Sequence, residues 1–236
     1  MTQEKLALAK KYYYLGRLFY FGTENIGGSL EWAMEYYEKS AELGYSPAIL
    51  QMGISYYYGW RDEYCTPDYD KALEFFIRAD NDDGNFFIGE CYYFGHGVKK
   101  NYERAISVYE KLAKKNYTQA AMRLGHMYRD GIGVERNVEK AIEYYSFAGE
   151  RGNSAGCLYL AKMYLYGDYG VEVDKALGDR WLKLWARYDV DEDAVFYRER
   201  DPEEYDEAMA FFEKLADGGD KECAGILVKE KRRKND

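Results

Sequence analysis

The sequence predicts an all-α fold, a right-handed α/α superhelical solenoid of stacked helix–turn–helix repeats of about 36 residues. One block with a marker glycine recurs along the chain, and a second block with an alanine followed by aromatic residues recurs between its copies. The markers stand 37, 36, 36 and 36 residues apart, at Gly16, Gly53, Gly89, Gly125 and, with alanine in place of glycine, Ala161.

A second glycine follows each marker by six residues, at Gly22, Gly59, Gly95, Gly131 and Gly167. Glycine ends helices because it adopts positive φ without a side-chain clash. The first block of each unit therefore predicts a helix that stops near this glycine and is followed by a loop.

The second block predicts the other helix of each hairpin, and it begins at Ala33, Ala72, Ala105, Ala141 and Ala208. We interpret the chain as a single repeat domain, 1–236, with repeats at about 9–45, 46–81, 82–117, 118–153 and 154–190. An acidic connector is expected at 191–202, and a degenerate repeat with a C-terminal capping helix at 203–236. The second unit has an enlarged loop at 60–70, and the fifth has a shifted second helix around Trp181 and Trp185.

The fourth unit resembles the SEL-one-like repeat, a relative of the tetratricopeptide repeat. The resemblance rests on Ala121, Leu124, Gly125, Tyr128, Gly131, Gly133, Val134, Asn137, Lys140, Ala141 and Tyr145. It implies that one side of each first helix lines a concave surface. On a helix that turns 100° per residue, the positions −3, +1 and +4 from the marker share an arc of about 60° on that side.

These positions are the predicted partner-binding residues: Tyr13, Arg17, Tyr20, Leu50, Ile54, Tyr57, Phe86, Glu90, Tyr93, Met122, His126 and Arg129. Tyrosine offers broad apolar area, few rotatable bonds and a hydroxyl that can bond a peptide backbone. Two interpretations remain open: the tyrosines line a groove for a partner, or they complete the interfaces between hairpins.

Charge and composition favour a protein or peptide partner. The 33 basic and 42 acidic residues give a net charge of −9, which disfavours nucleic acid and anionic lipid. The N-terminus shows no signal-peptide pattern, and no apolar stretch approaches the roughly 18 residues that cross a bilayer. The four cysteines, Cys65, Cys91, Cys157 and Cys223, are widely spaced, so a cytoplasmic location is expected.

No catalytic constellation, metal site or cofactor motif is expected. The two histidines, His96 and His126, have no cysteine or second histidine at ligand spacing. The predicted function is a non-enzymatic interaction scaffold or adaptor that binds its partner along the aromatic concave surface. The alternatives are a homo-oligomer, such as a homodimer, that uses the same surface, and an enzyme or ligand-binding protein with a site in the connector and loops.

Overall fold

The computed structural model describes residues 1–21, 28–60 and 66–193, with the backbone alone at 183 and 186–193. Within these ranges the chain is helical and contains no strand. A short 3-10 turn spans Asp168–Gly170. The ten α-helices are α1 Gln3–Phe21, α2 Leu30–Glu42, α3 Ser46–Tyr58, α4 Tyr69–Ala79, α5 Asp82–Phe94, α6 Tyr102–Ala113, α7 Thr118–Asp130, α8 Val138–Gly149, α9 Ser154–Tyr166 and α10 Lys175–Asp193.

Consecutive helices pack as hairpins, α1 with α2, α3 with α4, and so on to α9 with α10. The described residues form two compact units. The N-terminal unit lies within Met1–Asn81 and contains α1–α4, and the C-terminal unit begins at Asp82 and contains α5–α10. Within each unit the second helix of one hairpin also packs on the first helix of the next. The prediction of stacked all-α hairpins is confirmed.

Each hairpin turn is closed by the residue that caps its second helix. The side chain of this residue accepts a hydrogen bond of 2.8–3.3 Å from the main-chain N–H three residues later. Its own N–H donates, over 2.8–2.9 Å, to a carbonyl in the last turn of the first helix. The five capping residues are Ser29, Asp68, Asn101, Asn137 and Asp174.

The marker glycines allow the two helices of a hairpin to approach closely. A methyl group built on each marker would lie 2.5 or 2.6 Å from a ring carbon of the second helix, a distance that side chains do not tolerate. The pairs are Gly16–Tyr37, Gly53–Phe76, Gly89–Tyr109 and Gly125–Tyr145. The alanines that open the second helices, from Ala33 to Ala141, are fully buried beside them.

In the fifth hairpin the glycine of the close contact lies on the second helix, and the larger side chain lies on the first. Its marker position is Ala161, and the close approach occurs instead at Gly178 of α10, where an added methyl group would lie 2.6 Å from Leu165 Cγ. Trp181 is buried in this hairpin, and the shift of its second helix stays a prediction.

Several sequence predictions fall on parts of the chain outside the described residues. They are Gly22, the cysteines Cys65 and Cys223, Ala208, the connector beyond residue 193 and the degenerate repeat at 203–236. Helix α10 continues to Asp193, three residues into the range predicted as a connector.

Candidate functional site

The predicted binding residues at position −3 are buried. Tyr13, Leu50, Phe86 and Met122 are each less than a tenth exposed. The Tyr13 ring lies 5.3 Å from that of Tyr45, the capping residue of α3. The equivalent ring of Phe86 lies 5.5 Å from Tyr117, the capping residue of α7. These side chains therefore contribute to the stacking of the repeats.

The predicted residues at position +4 cover the hairpin turns. Tyr57 is buried, and Tyr20, Tyr93 and Arg129 are half-buried. The ring of Tyr57 lies 5.4 Å from Tyr69, and that of Tyr93 lies 5.4 Å from Tyr102. Tyr69 and Tyr102 are the first residues of the second helices, so these tyrosines join the two helices of their hairpins.

Exposed aromatic rings recur one residue further, at the last residue of every first helix except that of the fourth hairpin. This helix-end row consists of Phe21, Tyr58, Phe94, Asp130 and Tyr166. Its four aromatic members are 41%, 49%, 43% and 73% exposed. The sequence analysis selected the residues at position +4 and missed this row, which is at position +5. The signal that could have found it is a large aromatic residue directly before the glycine that ends each first helix.

In the N-terminal unit the helix-end row belongs to a larger aromatic cluster. The ring of Trp60 lies 5.7 Å from Tyr20 of α1 and stacks at 5.2 Å on Tyr58 of α3. The ring of Tyr20 in turn meets Phe21 edge to face at 4.9 Å. Trp60 thus links the ends of two first helices into one partly exposed aromatic surface, which we call the N-terminal platform.

In the C-terminal unit the +1 residues Glu90 and His126 are polar and lie at the junctions between repeats. In the junction of the third and fourth repeats (junction 3/4), Glu90 is buried and accepts from Tyr109 Oη at 2.5 Å. Arg123 donates to both of its carboxylate oxygens, through Nε at 2.8 Å and Nη2 at 2.5 Å. This junction is a closed hydrogen-bonded ion pair across α5, α6 and α7.

The junction of the fourth and fifth repeats (junction 4/5) has His126, Tyr145 and Tyr159 at the same three positions. The His126 ring lies 5.5 Å from Tyr145 and 5.0 Å from Tyr159, and the two tyrosine rings stack at 5.2 Å. His126 Nε2 and Tyr145 Oη are buried and have no hydrogen-bond partner among the described residues. Burial lowers the pKa of His126 to about 4, and Arg129 and Arg123 act in the same direction.

Arg129 borders junction 4/5. Its guanidinium lies 5.4 Å from the centre of the Tyr159 ring and 4.9 Å from that of Tyr169. It also donates to both carboxylate oxygens of Asp130, at 2.7 and 2.6 Å. In the fourth repeat this ion pair takes the place of the aromatic pairs that end the first helices of the first three hairpins.

The placement of the predicted residues is thus uneven. The +1 residues Arg17, Ile54 and His126 are half-buried and Glu90 is buried. Partner binding by the twelve predicted residues stays a prediction, and the exposed aromatic area is concentrated in the helix-end row beside them.

The sequence model of the Sel1 repeat family matches residues 12–45, 46–79, 82–117, 118–153, 154–187 and 196–220. The chain belongs to the Sel1 repeat family. Sel1 repeat proteins are generally protein-interaction scaffolds and are not typically enzymes. No curated protein matches the sequence.

Solved structures show the same Sel1 repeat fold. A Sel1 repeat protein from Oxalobacter formigenes is 25% identical, with a TM-score of 0.67 over 79% of this chain and 76% of that chain. The protective antigen c5321 of uropathogenic Escherichia coli, which displays an SLR fold, is 25% identical with a TM-score of 0.62. It matches 91% of this chain, but the chain covers only 47% of c5321. Immunity protein Pa5087 of Pseudomonas aeruginosa, at 20% identity and a TM-score of 0.59 over 78% of this chain and 70% of that chain, shares the fold alone.

Within residues 1–21, 28–60 and 66–193, no group of three or more histidine, cysteine or acidic side chains is arranged to hold a metal ion. None of the described helices is both long and apolar enough to span a bilayer.

Proposed function

We propose that this Sel1 repeat protein is an adaptor that binds a protein partner through the helix-end row. The observation that carries the proposal is that four of the five first helices described end in a large exposed aromatic ring. Such rings on a soluble protein expose apolar area that a partner can bury. Tyrosine and tryptophan are also the residues that most often dominate the binding energy of interfaces.

The proposal assigns different roles to the two aromatic positions. The +4 rings, such as Tyr57 and Tyr93, hold the helix-end rings edge to face, at 5.1 Å for Tyr57–Tyr58 and 4.8 Å for Tyr93–Phe94. The helix-end rings then present their outer faces to the partner. Binding requires few side chains to be ordered, because the underlying rings already fix the geometry.

We place this activity in the cytoplasm. The two cysteines in the described ranges, Cys91 and Cys157, are free and buried, and burial raises the pKa of both thiols. Unreactive, unpaired thiols support a reducing compartment.

The test is a quantitative affinity capture with purified wild-type protein and two variants. The first variant replaces Phe21, Tyr58, Phe94 and Tyr166 with alanine, and the second replaces the exposed Trp32, Ile77 and Val173, which lie off the helix-end row. We expect one or more proteins to bind the wild type and the second variant but not the first. The affinity of a captured protein is then measured by calorimetry with all three proteins.

Equal binding by the wild type and the helix-end variant would contradict the proposal. Light scattering on the purified protein tests the alternative of self-association. A monomer of 27.6 kDa leaves the helix-end row free for another protein. A wild-type dimer that the helix-end variant converts to a monomer would replace the adaptor proposal with homodimerisation.

A further inference from the structure

The two junctions of the C-terminal unit place different chemistry on the same backbone positions. Glu90 and His126 each follow their marker glycine, and Tyr109 and Tyr145 each pack on that glycine. In junction 3/4 the Tyr109 hydroxyl donates to the Glu90 carboxylate at 2.5 Å. In junction 4/5 the chain supplies no carboxylate at that position.

The Tyr145 hydroxyl is consequently a buried donor without an acceptor among the described residues. Its residue is 0% exposed, and the neighbouring His126 Nε2 also has no partner in the described part of the chain. In folded proteins most buried polar side-chain atoms have hydrogen-bond partners. Two neighbouring atoms without a partner among the described residues, Tyr145 Oη and His126 Nε2, are therefore unusual. Burial raises the pKa of Tyr145, which keeps the hydroxyl protonated and able to donate.

The surroundings of these two atoms favour a negative charge. Arg129 lies against Tyr159 and Tyr169 at the edge of the junction, and Arg123 lies in the neighbouring junction. Both arginines lower the pKa of His126, after the larger effect of burial, and Asp130 opposes them. At His126 the effect of each arginine is larger than that of Asp130, although the two arginines are themselves paired with Asp130 and Glu90.

We propose that junction 4/5 is a subsite for a carboxylate side chain of the protein partner, which occupies there the place that Glu90 fills in junction 3/4. The carboxylate accepts from Tyr145 Oη and from His126 Nε2–H, beside the guanidinium of Arg129. Tyr145 Oη and His126 Nε2 are both buried, so the half-buried His126 imidazole turns outward when the carboxylate enters. The inference rests on the proposed function, because the carboxylate belongs to the partner.

The experiment uses a small probe in place of the partner. N-acetyl-glutamyl amide carries the side-chain carboxylate, and N-acetyl-glutaminyl amide has the same shape without the charge. Each is titrated into the full chain at pH 7 while NMR follows the imidazole nitrogens of the two histidines. The His126→Gln variant assigns the signals. We expect a saturable shift of His126 with the glutamyl probe and none with the glutaminyl probe, while His96 stays unchanged.

A matched pair of variants locates the site. Tyr145→Phe removes the proposed donor, and Tyr144→Phe makes the same chemical change on the neighbouring ring, which stacks on Tyr128 outside the junction. We expect Tyr145→Phe to weaken glutamyl binding by about ten- to a hundredfold, since it loses a hydrogen bond to a charged group. Tyr144→Phe should bind as the wild type does.

Three results would overturn the carboxylate subsite: no saturable shift of His126, equal responses to the two probes, or wild-type affinity in Tyr145→Phe. The probe comparison on wild-type protein stands even if Tyr145→Phe does not fold. The proposed adaptor function is judged separately by the helix-end variants, which leave His126 and Tyr145 intact. Failure of one proposal is thus distinguishable from failure of the other.

Discussion

Junctions 3/4 and 4/5 have the same helix arrangement, but they differ in whether the buried polar groups have hydrogen-bond partners among the described residues. In each, a marker glycine receives a tyrosine ring from the second helix, and the next repeat covers that ring. Junction 3/4 is closed by the Glu90–Arg123 ion pair, whereas junction 4/5 leaves two buried polar atoms without partners among the described residues. This difference shows that the packing of the two helices in these hairpins is determined by the marker glycine and the tyrosine ring that contacts it. The residue after the glycine is free to vary in chemistry, so a repeat can change its surface without changing its fold.

The largest expected difference between the junctions comes from removing the cation of junction 3/4. Arg123→Met leaves the Glu90 carboxylate, 7% exposed, with only Tyr109 as a donor. We expect a loss of about 2–4 kcal/mol in the free energy of unfolding, toward the lower value because the Arg123 side chain is partly solvated. Urea denaturation followed by circular dichroism measures it.

The control for this change is Tyr159→Phe, at the equivalent position of junction 4/5. It should alter stability by no more than about 0.5 kcal/mol, since its ring contacts remain. If Arg123→Met is as stable as the wild type, the ion pair contributes little and the two junctions are energetically alike.

A methyl group on the marker glycine tests the part that the junctions share. Gly89→Ala and Gly125→Ala both bring Cβ to 2.5 Å from a tyrosine ring carbon. We expect each to destabilise the fold by about 1–3 kcal/mol through overpacking, despite the better helix propensity of alanine. Gly89→Ala should cost more, because the hydrogen bond to Glu90 restrains the Tyr109 ring while the Tyr145 hydroxyl is unrestrained.

Gly44→Ala is a useful reference for this pair, because an added methyl group meets nothing within 4 Å there and only the positive φ of 85° opposes it. Marker variants that lose no more than Gly44→Ala would show that the rings move aside easily. The close approach of the helices would then not depend on glycine.

Sequence reasoning predicted the hairpins because their signals are local. A glycine at fixed spacing and an alanine–aromatic block each act within one hairpin. The fifth hairpin has the same fold although its close approach is at Gly178 of the second helix and its marker position is Ala161.

The candidate site was less predictable because it depends on neighbouring repeats. The burial of Tyr13 and Phe86 comes from capping residues Tyr45 and Tyr117 of the next hairpin, which a helical arc on one helix does not include. The pairing of Glu90 and the lack of a partner for Tyr145 among the described residues depend on side chains from three helices. A helical arc on one helix does not bring these side chains together.

Acid should distinguish the junctions through His126. At pH 7 its imidazole is mostly neutral in both the folded and the unfolded chain, so it adds little pH dependence. Below the ordinary pKa of 6.5 the unfolded chain binds a proton, which the folded chain takes up only near pH 4. Stability therefore falls as the pH falls between these values, by about 1–2 kcal/mol after allowance for partial exposure of the ring.

Urea denaturation at pH 7 and pH 4.5 measures this effect as the difference between the wild type and His126→Gln. Carboxylates also titrate in this range, so only that difference is assigned to His126. His96→Gln serves as the matched control, since burial lowers the pKa of His96 as well but it lies outside the junctions. An unchanged pH dependence in His126→Gln would mean that the imidazole is protonated in the folded state at acid pH without cost.

The smallest expected effect comes from tyrosine-to-phenylalanine substitutions, which should lower the free energy of unfolding at junction 3/4 but not at junction 4/5. Tyr109→Phe removes a donor to the buried Glu90 and should lower the free energy of unfolding by about 1 kcal/mol, since Arg123 still holds both carboxylate oxygens. Tyr145→Phe removes a buried hydroxyl that has no partner among the described residues, so stability should stay equal or rise by up to about 1 kcal/mol. Urea denaturation of both variants under one condition gives the comparison.

Equal losses would show that the Tyr145 hydroxyl is already bonded in the folded chain. A Tyr145→Phe variant that is more stable but binds the glutamyl probe less well would show that junction 4/5 retains its hydroxyl for recognition at the expense of stability.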